Sequence, residues 1–184
     1  MRTISRKGSN NTYFQLTLEK IAPEIGHYLA GFADGEGSFN VSFRPRPDYR
    51  FPWKISLCFN ISQRDPAVLR IFQSVLDCGT MRQRNDGVWY FEVNDFTSIN
   101  TKVIPYFDRF GFLSEKKKRD FNRFKSIAAV ISRRMHITND GLKEILLHRS
   151  DMNDGGKRRY TDEYIINLLE NPQRLNAKLA HASG

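Results

Sequence analysis

Glu36 lies near the end of the run Tyr28-Leu29-Ala30-Gly31-Phe32-Ala33-Asp34-Gly35-Glu36-Gly37-Ser38-Phe39. The run opens with the character of a helix and closes with that of a strand. A carboxylate at a helix C-terminus faces the negative end of the macrodipole, so the position suits an anion only beside a cation. Gly31 and Gly35 are four apart and share one helical face. Each glycine inside a helix costs about 1 kcal/mol relative to alanine, which is explained if another helix packs against bare backbone at short range. Gly37 is placed to end the helix in a left-handed cap. The cations that could serve a phosphate chemistry fall in clusters: Arg82 and Arg84, Lys116-Lys117-Lys118, and Lys157-Arg158-Arg159.

The elements that must position these groups follow from periodicity. The motif helix starts near Pro23, where proline suits a first turn. From Ser38 the period changes to two. Phe39, Val41 and Phe43 share one face, and Asn40, Ser42, Arg44 and Arg46 the other. Pro45, Pro47 and Pro52 punctuate a loop carrying Asp48, Tyr49 and Arg50. Trp53, Ile55, Leu57, Phe59 and Ile61 then alternate with Lys54, Ser56, Cys58, Asn60 and Ser62, which predicts a half-buried antiparallel hairpin with a polar, basic outer face. Asp65 caps a helix from Pro66 with a stripe of Val68, Leu69, Ile71, Phe72, Val75 and Leu76. Gly79 opens a second hairpin, turned at Asn85-Asp86-Gly87. A helix capped by Asp95 or Thr97 is expected to break near Pro105. Ser114 caps a long helix, in which eight basic and two acidic residues lie between Glu115 and Arg134. Thr138 to His148 and Thr161 to Leu169 read as further helices. Between them, Met152-Asn153-Asp154-Gly155-Gly156-Lys157-Arg158-Arg159-Tyr160 has the flexibility and charge of a loop that follows a phosphate backbone.

At 184 residues the chain suits one domain, over residues 21–170, with a basic N-terminal arm (1–20) and a C-terminal tail (171–184). A net charge of +9 points to a polyanion. Nucleic acid is favoured over membrane, since no apolar run approaches the ~20 residues of a span. Cys58 and Cys78 do not make a disulfide framework, and His27, His136, His148 and His181 lack ligand spacing.

Leu29 to Gly37 resembles the nine-residue motif of the LAGLIDADG homing endonucleases. Leu29, Ala30, Gly31, Asp34 and Gly37 match outright, and Phe32, Ala33, Gly35 and Glu36 are family variants. The resemblance implies an α+β fold with an αββαββα core, whose antiparallel sheet forms a DNA-binding saddle followed by extra C-terminal helices. It implies that Glu36 is a metal ligand, aided by the Gly35 carbonyl. Gln63, at a strand end, would organise metal-bound water. Lys116 would stand near the scissile phosphate, with Lys117 and Lys118 leaving its register open. An added basic residue would be Arg64 or Arg70. Asn40, Ser42, Arg44, Arg46, Tyr49, Lys54, Ser56, Asn60, Arg82 and Arg84 would read DNA from the sheet, joined by Lys157, Arg158 and Arg159.

The motif occurs once, so the expected partner is an identical chain meeting it through Leu29, Gly31, Phe32 and Gly35. That brings two Glu36 carboxylates together, and a divalent cation relieves their repulsion. Mg²⁺ suits oxygen donors and keeps several waters, with Mn²⁺ or Ca²⁺ as substitutes. The function implied is a sequence-specific double-strand DNA endonuclease of the intron-encoded type, cutting a long pseudo-palindromic site to staggered ends with 3′ overhangs. The alternatives are an RNA maturase and a non-cleaving DNA-binding regulator. The implied setting is a chloroplast or mitochondrion, or an archaeal cytoplasm.

Overall fold

The computed structural model describes residues 18–46, 51–155 and 158–170. A short 3₁₀ turn, Leu18–Lys20, leads into α1 (Pro23–Glu36). The chain then passes directly into β1 (Gly37–Pro45) and returns along β2 (Trp53–Gln63). Next come α2 (Ala67–Leu76), β3 (Thr80–Gln83) and β4 (Trp89–Val93). A helical stretch follows as α3 (Phe96–Ser98), a π turn (Ile99–Val103) and α4 (Ile104–Phe110). The chain closes with α5 (Glu115–Ser132), α6 (Asn139–Ser150) and α7 (Asp162–Glu170). The four strands form one sheet in the order β1-β2-β4-β3, with antiparallel neighbours throughout.

Alternation decides which face is which. Phe39, Phe43, Trp53, Leu57, Phe59, Ile61, Phe91 and Val93 are buried, and the helices cover that face. Phe39 is the hub of an aromatic cluster: its ring centroid lies 5.0 to 5.8 Å from those of Phe59, Phe107, Phe112, Phe121 and Phe124. Such pairs add about 0.5–1.5 kcal/mol each beyond area burial. The residue three positions after Glu36 is thereby fixed to β2, α4 and α5 together. The opposite face stays polar.

Turns and caps follow local chemistry. Gly87 adopts φ +84 in the β3–β4 turn, which L side chains rarely adopt. The Ser98 N–H donates to Asp95 Oδ1 at 2.7 Å, so Asp95 rather than Thr97 caps α3. Thr138 caps α6 through the Gly141 N–H, and Thr161 caps α7 through the Tyr164 N–H. Asp65 accepts from the Ala67 N–H at 2.9 Å, while Pro66 holds the capping position itself.

The expected break at Pro105 does not occur. The helix runs on, widened by the π turn, in which the Ile104 N–H reaches back to the Ile99 carbonyl. Proline has no N–H and crowds the carbonyl four residues earlier, and one wider turn just before Pro105 absorbs both effects. Gly37 also departs from expectation. Its φ of −76 and ψ of 153 are extended, not left-handed. Glycine is needed there for space: a Cβ would stand 2.7 Å from the Ala33 carbonyl oxygen.

Candidate nuclease centre and nucleic-acid interface

The first component is the surface of α1. Gly26, Leu29, Ala30 and Ala33 turn into the chain's own core. Leu29 is wholly buried there, so it is a core residue and offers no surface to a partner; this corrects its expected interface role. On the other side Ile25 and Tyr28 are 41% and 54% exposed. Gly31 and Gly35 are exposed, and a Cβ added to either would meet nothing within 4 Å. Phe32 is half-buried and packs against Phe72. An apolar stripe with two bare backbone positions thus runs down the helix to Glu36.

The second component is the end of that helix. The Gly37 N–H donates to the Ala33 carbonyl, and the following helical carbonyls have no donor four residues ahead within the helix. Glu36 is exposed and accepts no hydrogen bond among the described residues. Gln63 ends β2. The ladder pairs Gly37 with Ile61, so Gln63 lies just past that pair, at the Glu36 end of the strand and on the face of Ile61. Exposed Arg64 and Arg70 follow, and nothing in the geometry selects one over the other.

The adjacent lysines take different partners. Lys116 reaches Asp154. Lys117 reaches into the centre, where its Nζ donates to the Gly37 carbonyl. Burial pushes its ammonium below the usual lysine range, against the opposing pull of Asp120, Asp34 and Glu36. What carries Lys117 there is Asp34, the other acid of the motif. Asp34 accepts from the Leu113 N–H at 3.0 Å, the Ser114 N–H at 2.8 Å and the Ser114 hydroxyl. It therefore clamps the N-terminus of α5 onto the end of α1. Desolvation raises the Asp34 carboxyl, but the hydrogen bonds from Ser114 and Leu113 and the charge of Lys117 outweigh it and hold it below the ordinary carboxylate range. Asp34 is a structural acid; Glu36 is the open one.

The third component is the polar face of the sheet. Cross-strand pairs build it row by row: Arg44 with Lys54, Ser42 with Ser56, Asn40 with Cys58, and Ser38 with Asn60. Asn60 continues to Glu92 and Thr80, and Ser62 to Tyr90 and Arg82. Arg82 and Arg84 flank Tyr90, their guanidinium carbons 5.3 and 5.4 Å from the ring centre. Arg84 also donates to the Tyr90 hydroxyl at 2.6 Å and pairs with Asp86. Arg46 is half-buried near the β1–β2 tip. Tyr90 and Glu92 belong to this face although sequence reasoning did not select them; their parity in β4 was the available signal. Cys58, which alternation had already put on this face, pairs there with Asn40. Burial pushes the Cys58 thiol up to about 11, so it is an inert, hydrogen-bonding member of the face.

Arg158 and Arg159 have different surroundings. Arg158 turns inward: it pairs with Asp162 at 2.8 Å and donates to the carbonyls of Arg149, Ser150 and Met152. That corrects its expected phosphate role, because its donors are used to fold the loop. Arg159 is exposed beside Tyr160. Tyr49 and Lys157 lie outside the described residues.

Among the described residues no cluster of three or more His, Cys, Asp or Glu side chains could hold a metal ion. The donors that one chain brings to the centre are oxygens, the Glu36 carboxylate and the helix-end carbonyl of Gly35. That set is of the kind a hard divalent cation that keeps several waters would take. No helix of the described residues is long and apolar enough to cross a membrane.

Comparison with known proteins bears on the fold and the family. The chain is 36% identical over 132 residues to a protein of Neurospora crassa named "Probable intron-encoded endonuclease 2", covering 70% of this chain and 29% of that one. Among solved structures it is similar to the homing endonuclease I-TnaI, at 26% identity and a TM-score of 0.66, covering 88% of this chain and 97% of that one. It is similar also to the I-LtrWI LAGLIDADG homing endonuclease bound to target DNA, at 25% identity and a TM-score of 0.69, covering 74% of this chain and 47% of that one. The chain thus spans less than a third of the Neurospora relative and about half of the DNA-bound one. Residues 29–128, more than half of the 184, match the LAGLIDADG endonuclease family, and the chain belongs to that family.

Proposed function

We propose that the chain is a site-specific double-strand DNA endonuclease that acts as a homodimer through α1. The observation that carries this reading is the open stripe of α1, with Gly31 and Gly35 bare, ending at an exposed Glu36 beside the polar face of the sheet. Two such stripes packed about a two-fold axis bring both Glu36 carboxylates to the midline and continue the two sheets into one saddle. The fold shared with a relative bound to target DNA, at a TM-score of 0.69, supports the sheet as the recognition surface.

In the dimer each Glu36 and its neighbouring Gly35 carbonyl would hold a divalent cation, magnesium by the donor chemistry. When bound, that ion supplies Lewis-acid stabilisation of charge on the phosphodiester and makes water a better nucleophile. The chain's own residues do the remainder. Gln63 orients a water at the strand end. Lys117 brings a positive charge to the non-bridging phosphate oxygens. The polar rows of the sheet hold base edges and phosphates so that the scissile bond lies across the midline. Water adds to phosphorus and gives its proton to solvent, the ester bond to the leaving sugar oxygen breaks, and solvent protonates that oxygen to a hydroxyl; cuts staggered between the two strands leave 3′ overhangs.

The experiment is cleavage of a randomised duplex library in Mg²⁺ by the wild type and by Glu36→Gln. A palindromic or near-palindromic site should emerge with the wild type. Glu36→Gln should lose more than the ~10–100-fold typical of outer-shell ligand changes, while still binding the recovered duplex. Cutting by Glu36→Gln at the wild-type rate would remove the metal-ligand assignment. A site without two-fold symmetry would remove the homodimer.

A further inference from the structure

The outward cations of α5 are already occupied. Lys116, Arg119 and Arg123 fall on one stripe of the helix by their spacing of three and four. Each is paired with an acid from the segment that follows α6. Lys116 and Arg119 both bind Asp154, the latter at 3.1 Å, and Arg123 binds Asp151 at 2.9 Å. Lys125, half a turn round the helix, pairs instead with Asp108 of α4.

The segment is held in place with more effort than these exposed pairs explain. Met152 is buried. The Asn153 N–H donates to the buried Asp120 at 3.3 Å, and its side-chain amide donates to the Phe39 carbonyl at 2.9 Å. Asn153 and Asp154 both take left-handed backbone, φ 54 and 50, a conformation that asparagine and aspartate accept more readily than other non-glycine residues and that turns the segment back toward α5. Solvent-screened ion pairs contribute little to stability, so the anchoring is not accounted for by the bridges it makes. It does deliver a carboxylate to a fixed place between two cations. It does so beside β1, at the end of α5 that Asp34 clamps to the motif helix.

We infer that Asp154 is a specificity-determining residue: its carboxylate occupies Lys116 and Arg119 in place of a DNA phosphate, suppresses binding to arbitrary duplex, and yields only where the target seats the sheet. The inference rests on the DNA-cleaving reading. Asp154 acts through the two cations and touches no reacting atom, so it is a positioning residue. Asp151 does the same for Arg123 one turn along.

The test is binding to a short duplex of unrelated sequence, read by fluorescence anisotropy over a salt series, which needs no knowledge of the target. Asp154→Asn should bind that duplex several-fold more tightly, and the slope of log affinity against log salt should steepen by about 1–2, the increment for one or two added phosphate contacts. Asp108→Asn removes the same charge and frees Lys125 on the far side of α5; its slope should match the wild type. If Asp154→Asn keeps the wild-type slope, or if Asp108→Asn shifts it equally, the inference is overturned. A second variant covers loss of fold in the first. Lys116→Met with Arg119→Met should leave the slope on unrelated duplex unchanged, because Asp154 already neutralises both cations, yet flatten the slope on the selected target by about 1–2. Flattening on both duplexes would overturn the inference. Absence of salt-dependent DNA binding by the wild type would overturn the DNA reading, and this inference with it.

Discussion

Asp34 and Glu36 sit two residues apart in one motif and have different duties. Asp34 faces the start of α5 and satisfies donors there, while Glu36 faces out. Replacing Asp34 by alanine should cost about 1–2 kcal/mol, the range for loss of a helix cap, and should displace Lys117 from the centre. The pH dependence has a definite sign. The folded Asp34 carboxyl lies below its unfolded value near 3.8. Its contribution is therefore fully present above that pH and is lost as pH falls through the folded value. Thermal melting of wild type and Asp34→Asn should differ most near neutrality and converge in acid; a gap that widens in acid would contradict the clamp. Lys117 shows what the sequence could not settle. Three consecutive lysines are equivalent on paper, and only the docking of α5 by Asp34, 80 positions earlier, decides which one turns inward. Asn153, Asp154 and Arg158 were opaque for the same reason. Their partners are distant in sequence or lie in a turn whose backbone no pattern reveals.

At the scale of the element, α1 carries three glycines with opposite requirements. Gly26 packs under Phe110, and an added Cβ would fall within the ring. Gly26→Ala should destabilise by the ~1–3 kcal/mol of an overpacked core, measured by chemical denaturation. Gly31 and Gly35 have open space, so Gly35→Leu should leave the melting of the monomer nearly unchanged while weakening self-association in sedimentation velocity. A Gly35→Leu chain that is still dimeric at low concentration would show that the helices do not meet there. The elements themselves were legible. Alternation gave β1 and β2, the Asn85-Asp86-Gly87 turn gave the β3–β4 hairpin, and residues with strong capping chemistry, such as Ser114, Thr138 and Asp95, marked helix starts. The helix through Pro105 was not legible, because a π turn leaves no residue pattern of its own. Gly37 misled for a related reason: glycine serves both left-handed backbone and close approach, and the sequence does not say which.

For the whole molecule the charge balance sets the behaviour. A chain of net charge +9 with arginine and lysine on the polar rows of its sheet should lose duplex affinity steeply with salt. If a dimer contacts six to ten phosphates, the loss between 50 and 200 mM is about 10³-fold or more. A flat profile in the same titration would exclude duplex DNA as the partner. The position of the reading face was available from alternation. Parity in β4 puts the acid Glu92 and the ring of Tyr90 on that face, and only the pairing of β4 with both β2 and β3 puts them at its centre.

No residue intervenes between Glu36, the last of α1, and Gly37, the first of β1. The junction has no slack. Turning α1 about its axis must swing β1, and with it Asn40, Ser42 and Arg44. If two copies pair through α1 and the sheet reads DNA, as proposed, choice of mate and choice of sequence are mechanically geared. A redesigned α1 surface that accepts a different subunit should also retune base preference at the positions that β1 faces, without any change to a side chain that touches DNA.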